Sequence, residues 1–174
     1  PAEQFRIIIG FTNGPCNYGP SRKLTGQPKE VFAIMNYAVD DNERPIFYKK
    51  VVETVVHEFC HSFTKIKGDT EKALEKSGKA LQEYTYFSMR RQAYSTWRNI
   101  LEESLVRAAT ICYLIDHNYD EKDIRNAIIE QVDRNFFWMP ELVQTLRYYE
   151  SHRKKYPTFT SFYPEIIRFF DRYV

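Results

Sequence analysis

The five residues from His57 to His61 read His-Glu-Phe-Cys-His and lie inside a stretch with helical apolar periodicity. On a helix, residues four positions apart share a face, so this spacing directs the two imidazoles toward one point. At 100° per residue the surrounding apolar side chains span an arc of roughly 160° to 300° from His57, whereas the histidines lie near 0° and 40°. We therefore expect the histidines off the core-facing stripe, on a side turned toward a cleft. The apolar arc consists of Val52, Val55, Val56, Phe59, Cys60 and Phe63.

Two imidazoles with a carboxylate beside them are suited to a catalytic zinc ion. Zn²⁺ accepts neutral imidazole nitrogen and lowers the pKa of its bound water from 15.7 to about 7. Glu58, which follows His57, is placed to take a proton from that water. The motif therefore predicts a metal-dependent hydrolase with Glu58 as general base. The alternative is a pair of core histidines satisfied by hydrogen bonds.

A catalytic zinc usually has three protein ligands, so a third must come from elsewhere in the chain. The other two histidines, His117 and His152, have no helical partner. An amphipathic helix predicted over residues 97–115 carries two adjacent carboxylates, Glu102 and Glu103, in its middle. One of them is expected to complete a His-His-Glu set, and the alternative is that both are solvated surface acids. Helix geometry does not choose between them, because they lie at similar angles on opposite flanks of the apolar stripe.

The motif and the downstream helix resemble the gluzincins, zinc peptidases in which a glutamate on a later helix is the third ligand. More narrowly, nearly the whole chain resembles a family of uncharacterised Bacteroides-type, hence bacterial, proteins described as a domain of unknown function with a predicted metalloprotease site. The resemblance is carried by Asn-Tyr-Gly at 17–19, VVHEFCHSF, the Tyr94 to Trp97 stretch before EESLVRAATICYL, and WMPELVQTLRYYESHRKKYPTF.

This resemblance implies a zincin-like peptidase whose third ligand is Glu103, the glutamate immediately before Ser-Leu-Val-Arg-Ala, with Glu102 as the runner-up. It also implies that an extended peptide substrate adds as a strand to the sheet edge beside the HExxH helix. Many gluzincins carry an acid four residues after the ligand, but Arg107 stands at that position. The groups that support the ligands are therefore unassigned.

The order of elements predicts an α+β fold with a small N-terminal sheet followed by a mainly helical region. Strands are expected from Phe5 to Phe11 and from Val31 to Val39, joined by a long loop over Asn13 to Pro28. The second strand is the candidate to bind extended peptide. Asp120 is expected as an N-cap, Pro140 in a first turn, and Pro157 and Pro164 as breaks in the last stretch. Helices are expected at about 46–66, 70–92, 95–116, 121–134, 140–154 and 164–172.

Length and composition indicate one catalytic domain over residues 1–174, because 174 residues with 43 % hydrophobic side chains can fill one core. A net charge of +2, with basic residues dispersed among acids, does not favour nucleic acid as a partner. The sequence has no apolar run long enough for a membrane span and no signal peptide. Because it begins at Pro1 without methionine, we expect that an upstream segment has been lost. If that segment was a signal, the domain acts in the periplasm or at the cell surface.

Three cysteines, Cys16, Cys60 and Cys112, are widely spaced and form no CxxC pair. An odd number with this spacing supports neither a disulfide framework nor a structural zinc site, so three thiols are expected. Cys60 lies inside the motif but on the flank of the apolar stripe. It is expected to be a small core residue and neither a ligand nor a nucleophile.

The sequence thus predicts a zinc peptidase in which His57, His61 and Glu103 hold Zn²⁺ and Glu58 moves protons. A further group should stabilise the oxyanion, and four residues are candidate donors, although each is equally explained as a packing residue. One alternative is a catalytically inactive zincin-fold module that binds peptide or glycan. Another is an interaction domain in which the motif is incidental. The candidate donors are Tyr94, Tyr149, His152 and Tyr156.

Overall fold

The structure is a computed structural model that describes residues 4–10, 14, 16–46 and 48–174, apart from the side chain of Lys49. Contacts between residues divide the chain into two compact units, Pro1–Phe63 and Thr64–Val174. The first unit contains the strands and one helix, and the second is entirely helical in regular structure. The architecture is therefore the expected α+β, with a small N-terminal sheet and a mainly helical remainder.

The first unit is built on a three-stranded mixed sheet in the order β1-β3-β2. Strand β1 runs parallel to β3, and β2 runs antiparallel to it. Side chains alternate along β3, so that Val31, Ala33 and Met35 are buried on the face that the helix α1 covers. A separate pair of two-residue strands, β4 and β5, follows the sheet. The elements are β1 (Gln4–Ile9), β2 (Ser21–Arg22), β3 (Glu30–Met35), β4 (Ala38–Val39), β5 (Pro45–Ile46) and α1 (Lys49–Cys60).

Two predictions about the second strand were wrong. The strand expected over Val31 to Val39 ends at Met35, and Ala38–Val39 turns away to pair with β5. Strand β3 is also central, because it pairs with β1 on one side and with β2 on the other. Its backbone groups are already used by these neighbours, so it cannot accept a peptide as a further strand. The first predicted strand, Phe5 to Phe11, is observed as β1, and Phe11 lies outside the described residues.

Helix α1 approaches the backbone of the segment before β2 very closely at Gly19. A Cβ built on Gly19 would lie 1.9 Å from the carbonyl oxygen of Glu58, so only glycine fits there. The contact is reinforced by Ser62, whose hydroxyl donates to the Gly19 carbonyl at 3.4 Å. Phe59 packs edge-on against Phe5 of β1, with ring centroids 5.2 Å apart. The region around Glu58 is thus fixed to the sheet through its own backbone.

The second unit is a bundle around α4, which packs against α2, α5 and α6. Helix α4 is buried on most of its circumference, so it is the centre of the unit and not a one-sided amphipathic helix. Gly78 of α2 allows this packing, because a Cβ there would lie 2.5 Å from the Trp97 ring. The helices are α2 (Asp69–Tyr84), α3 (Tyr86–Arg91), α4 (Trp97–Asp116), α5 (Glu121–Asp133), α6 (Met139–Ser151) and α7 (Phe159–Asp171).

The predicted helices exist, but the limits of three of them were wrong. The helix expected over 46–66 spans only Lys49–Cys60, and the one expected over 70–92 breaks at Thr85. Thr85 donates its hydroxyl back to the Leu81 carbonyl at 2.6 Å, an arrangement that bends helices. The last helix begins at Phe159, where Thr158 and Ser161 form a capping box, so Pro164 lies inside it. No helix within the described residues is long and apolar enough to cross a membrane.

Candidate metal centre

His57 and His61 lie on one side of α1, as their spacing predicts. Their ring centroids are 4.9 Å apart with the rings nearly perpendicular. His61 is the residue after the last helical one, yet its φ of −53° and ψ of −28° remain helical, so the i, i+4 alignment is kept. Both histidines are half-buried. Two imidazoles therefore point from the C-terminal turn of α1 toward a common region.

The position of the histidines at a helix C-terminus favours a cation. The last carbonyl groups of a helix carry partial negative charge, and a positive ion near them is stabilised. Glu58, between the two histidines in sequence, is only 6 % exposed. A carboxylate buried to this degree is not a solvated surface acid, and its burial is consistent with a role inside a protected site.

The adjacent glutamates of α4 have different environments. Glu102 accepts a hydrogen bond from the backbone N–H of Ile66 at 2.9 Å and forms an ion pair with Lys65 at 3.1 Å. It therefore holds the segment that leads into α2. Glu103 is 6 % exposed, and its Oε1 forms an ion pair with Nη2 of Arg107 at 2.8 Å. The alternative that both are solvated surface acids is wrong.

Three residues named from the sequence are brought together. One ligand atom from each of His57, His61 and Glu103 lies within 4.8 Å of the other two. Two imidazole nitrogens and a carboxylate oxygen form a donor set that catalytic zinc sites use. Glu102 does not belong to this group, because its two oxygens serve Ile66 and Lys65.

Arg107 links Glu103 to its surroundings inside the second unit. Its Nη2 also donates to the Tyr94 hydroxyl at 3.0 Å, and its Nη1 donates to Oε1 of Gln131 at 2.6 Å. The guanidinium lies 5.2 Å from the centre of the Phe136 ring. The arginine is 9 % exposed, and its Nε is buried with no hydrogen-bond partner among the described residues. Arg107 thus occupies the position where the resemblance leads one to expect an acid.

Of the four candidate oxyanion donors, Tyr94 lies beside a candidate ligand. Burial raises the pKa of Tyr94, and the neighbouring Glu103 carboxylate raises it further. The remaining three form contacts around the end of α6 and the start of α7. The ring centroids of Tyr149 and Phe162 are 5.0 Å apart. Nδ1 of His152 lies 2.9 Å from the Tyr148 carbonyl oxygen, which acts as the acceptor.

Tyr156 completes this aromatic group. It is 6 % exposed, and its hydroxyl donates to the Glu165 carboxylate, a bond that raises the pKa of Tyr156. Each of these three side chains therefore has a packing or capping role in the bundle. Their role as oxyanion donors stays a prediction with no support from these contacts.

The cysteine of the motif is chemically inert at neutral pH. Burial raises the pKa of the Cys60 thiol to about 12, so it is protonated. A protonated thiol is a poor nucleophile. All three cysteines are thiols, with Cys16 exposed and Cys112 buried, as expected.

A cavity of about 200 Å³ lies against the N-terminal half of α1. Its wall includes Lys50 and Thr54, which precede His57 by seven and three residues on the same side of the helix. The opposite wall comes from the segment after β3, with Asn36 and Tyr37.

The comparison with protein families is decisive for membership. A family model described as a domain of unknown function, DUF4932, matches residues 2–169. The chain belongs to this family. The DUF4932 match covers the motif, α4 and the aromatic helices, in agreement with the narrow resemblance of the sequence. No curated protein and no solved structure matches the chain.

Sequence reasoning named the three clustered residues of this DUF4932 chain but not the groups that support them. Arg107 was missed as a partner of Glu103, and Gln131 was missed as a partner of Arg107. One signal was present, because Glu103 and Arg107 are four residues apart and such pairs face each other on a helix. Gln131 comes from α5, and no local pattern could have indicated it.

Proposed function

We propose that this protein is a zinc-dependent hydrolase with a zincin-like site, most simply a gluzincin-type peptidase acting on peptide or protein substrates. The observation that carries the proposal is the mutual proximity, within 4.8 Å, of ligand atoms from His57, His61 and Glu103. The resemblance implies Glu103 as the third ligand, and its proximity to both histidines supports the proposal beyond the motif itself.

The residues fit Zn²⁺ by the chemistry of their donor atoms. Two neutral nitrogens and one carboxylate oxygen leave a fourth position for water or substrate, as catalytic zinc sites require. In this proposal the bound ion supplies a Lewis acid for the scissile carbonyl and lowers the pKa of water to about 7. The helix C-terminus that carries the histidines adds a favourable field for the ion.

The chain's own catalytic group is Glu58. Its carboxylate accepts a proton from the attacking water as the peptide carbonyl carbon is attacked. It then returns that proton to the leaving amine nitrogen. Burial of Glu58 keeps bulk water away from this transfer and strengthens its electrostatic interactions. The cavity beside Lys50 and Thr54 provides space for a substrate side chain next to the site.

The second candidate function is an inactive zincin-fold module that holds peptide or glycan without cleaving it. Glu58 argues for the enzyme, because a binder has no need for a buried carboxylate between two metal ligands. The third candidate, an interaction domain with an incidental motif, predicts no bound metal.

Two measurements separate these candidates. Elemental analysis of purified, zinc-loaded protein should give about one zinc per chain, lost with a chelator, if three ligands form a ready site. A peptide library incubated with the same protein and read by mass spectrometry should give cleavage products only with metal. Protein without zinc overturns the proposal, and zinc without turnover favours the binding module.

A further inference from the structure

We propose that Arg107 is a positioning residue of this metal centre, which fixes the carboxylate of Glu103 for coordination through the geometry of its guanidinium. This inference rests on the proposed function. It adds a role that the motif does not contain, at the position where gluzincins commonly carry an acid.

One guanidinium nitrogen of Arg107 contacts both Glu103 and Tyr94. Nη2 of Arg107 donates to Oε1 of Glu103 at 2.8 Å and to the Tyr94 hydroxyl at 3.0 Å. The Glu103 carboxylate and the Tyr94 hydroxyl are thus held by the same guanidinium nitrogen. Because a carboxylate rotates about its last torsion, an ion pair with a rigidly held guanidinium restricts its plane. A ligand held in this way loses little freedom when a metal binds.

The arginine is itself held rigidly. Nη1 donates to Oε1 of Gln131 on α5 at 2.6 Å, and the guanidinium lies over the Phe136 ring. The side chain of Arg107 is only 10 % exposed, so solvent does not compete for these bonds. Only a planar group with several donors can reach Glu103, Tyr94 and Gln131 together, and a lysine ammonium lacks that geometry.

Tyr94 therefore acts with Arg107. The Tyr94 hydroxyl accepts from Nη2 of Arg107, so it is one of the groups that fix the guanidinium beside Glu103. In this arrangement Tyr94 supports the ligand and does not stabilise an oxyanion. The carboxylate of Glu102, one residue away, has no such support because it serves Ile66 and Lys65.

The test uses Arg107→Lys, which keeps the positive charge and removes the planar guanidinium with its several donors. Zinc affinity from a competitive chelator titration should fall on the order of 10 to 100-fold, the range for partners that orient metal ligands. The visible spectrum of the Co²⁺-loaded variant should also differ from that of the wild type, because a mobile carboxylate changes the coordination of the ion. The matched control is Ser104→Ala, on the same helix.

Ser104 is fully buried and accepts a hydrogen bond from Nε1 of Trp138 at 3.0 Å. Its removal should lower thermal stability while zinc affinity and the Co²⁺ spectrum stay unchanged. Tyr94→Phe, which deletes one hydroxyl at a half-buried site, serves as a second variant if Arg107→Lys does not fold, and should weaken zinc several-fold.

The outcomes are distinct. If folded Arg107→Lys keeps the wild-type zinc affinity and spectrum, the positioning role is overturned. If Arg107→Lys does not fold, the same result in Tyr94→Phe overturns it. Either result leaves the proposed hydrolase intact. Wild-type protein that binds no zinc overturns both. A drop in affinity that Ser104→Ala matches at equal loss of stability also rejects the role, because the effect is then one of packing.

Discussion

At the scale of single residues, two neighbouring glutamates on α4 illustrate how environment assigns chemistry. Glu102 and Glu103 differ by 100° around the helix, so they face different neighbours. Glu102 accepts a hydrogen bond from a backbone N–H and pairs with a lysine. Glu103 pairs with an arginine and has a ligand oxygen close to two imidazoles. The same side chain is thus a structural cap at one position and a candidate metal ligand at the next.

This difference predicts opposite phenotypes for the two alanine variants. Glu103→Ala should lower zinc affinity at least tenfold in a competitive chelator titration, because a donor atom is lost. Glu102→Ala should leave zinc affinity nearly unchanged and lower the free energy of unfolding by about 1 to 3 kcal/mol, because the Ile66 N–H loses its acceptor. The reverse ranking of zinc affinities would assign the third ligand to Glu102.

Glu58→Gln tests the proton-transfer role. The variant should keep its zinc, because the residue is not among the clustered donors, and hydrolysis should fall on the order of 10²-fold or more. Zinc content by elemental analysis and turnover of a cleaved library peptide are measured on the same sample. Loss of metal together with activity would mean that Glu58 is a ligand or a folding determinant.

The thiols provide a residue-scale test of the surroundings of the motif. Native protein treated with iodoacetamide at pH 8 should be alkylated at exposed Cys16 and spared at Cys60, whose pKa of about 12 keeps it protonated. Buried Cys112 should also be spared. Peptide mapping reads each site, and denatured protein is the control in which all three react. Rapid labelling of Cys60 in the native state would contradict its environment.

At the scale of elements, the sequence predicted the helices well and the sheet partly. The spacing of apolar residues indicated every long helix, because periodicity extends over several turns. It did not indicate the break at Thr85, since the apolar pattern continues across it, or the start of α7 at Phe159, where Ser161 takes the place of the usual Glu in the capping box. Strand β2 has only two residues, too few for any pattern.

In the candidate site, too, relations within one helix were predictable from the sequence and contacts between helices were not. His57, Glu58 and His61 are local, so one helix was enough to predict their relation. Glu103 was selected by resemblance and not by geometry. Gln131 belongs to another helix and could not be predicted, because its contact with Arg107 depends on how α5 packs on α4.

The close approach of α1 to Gly19 yields a prediction at this scale. Gly19→Ala should lower the free energy of unfolding by about 1 to 3 kcal/mol, because the new methyl group overlaps the Glu58 carbonyl and separates helix from sheet. Urea denaturation measures the change. Ser21→Ala, at an exposed residue of β2, is the control and should be nearly neutral. An equally stable Gly19→Ala variant would mean that the segment moves away without cost.

At the scale of the whole molecule, a resident metal should be visible in thermal stability. An ion that binds only the folded state stabilises it by about 2.7 kcal/mol at a free concentration 100 times its Kd. The Tm should therefore rise with added zinc and fall with chelator. The His57→Ala variant should remain folded, and its Tm should respond little to zinc or chelator. A wild-type Tm that is insensitive to both additions would argue against a metal that belongs to the fold.

The burial of α4 ties the candidate ligand Glu103 to the packing of the second unit. Glu103 is carried by the most enclosed helix of the second unit, with Leu101, Leu105 and Ala108 fully buried around it. Under the proposed function, a variant library screened only for retained zinc would therefore also select for intact packing of that unit. Substitutions that loosen α4 would be discarded together with those that remove a ligand. Metal retention could thus serve as an inexpensive proxy for structural integrity in directed evolution.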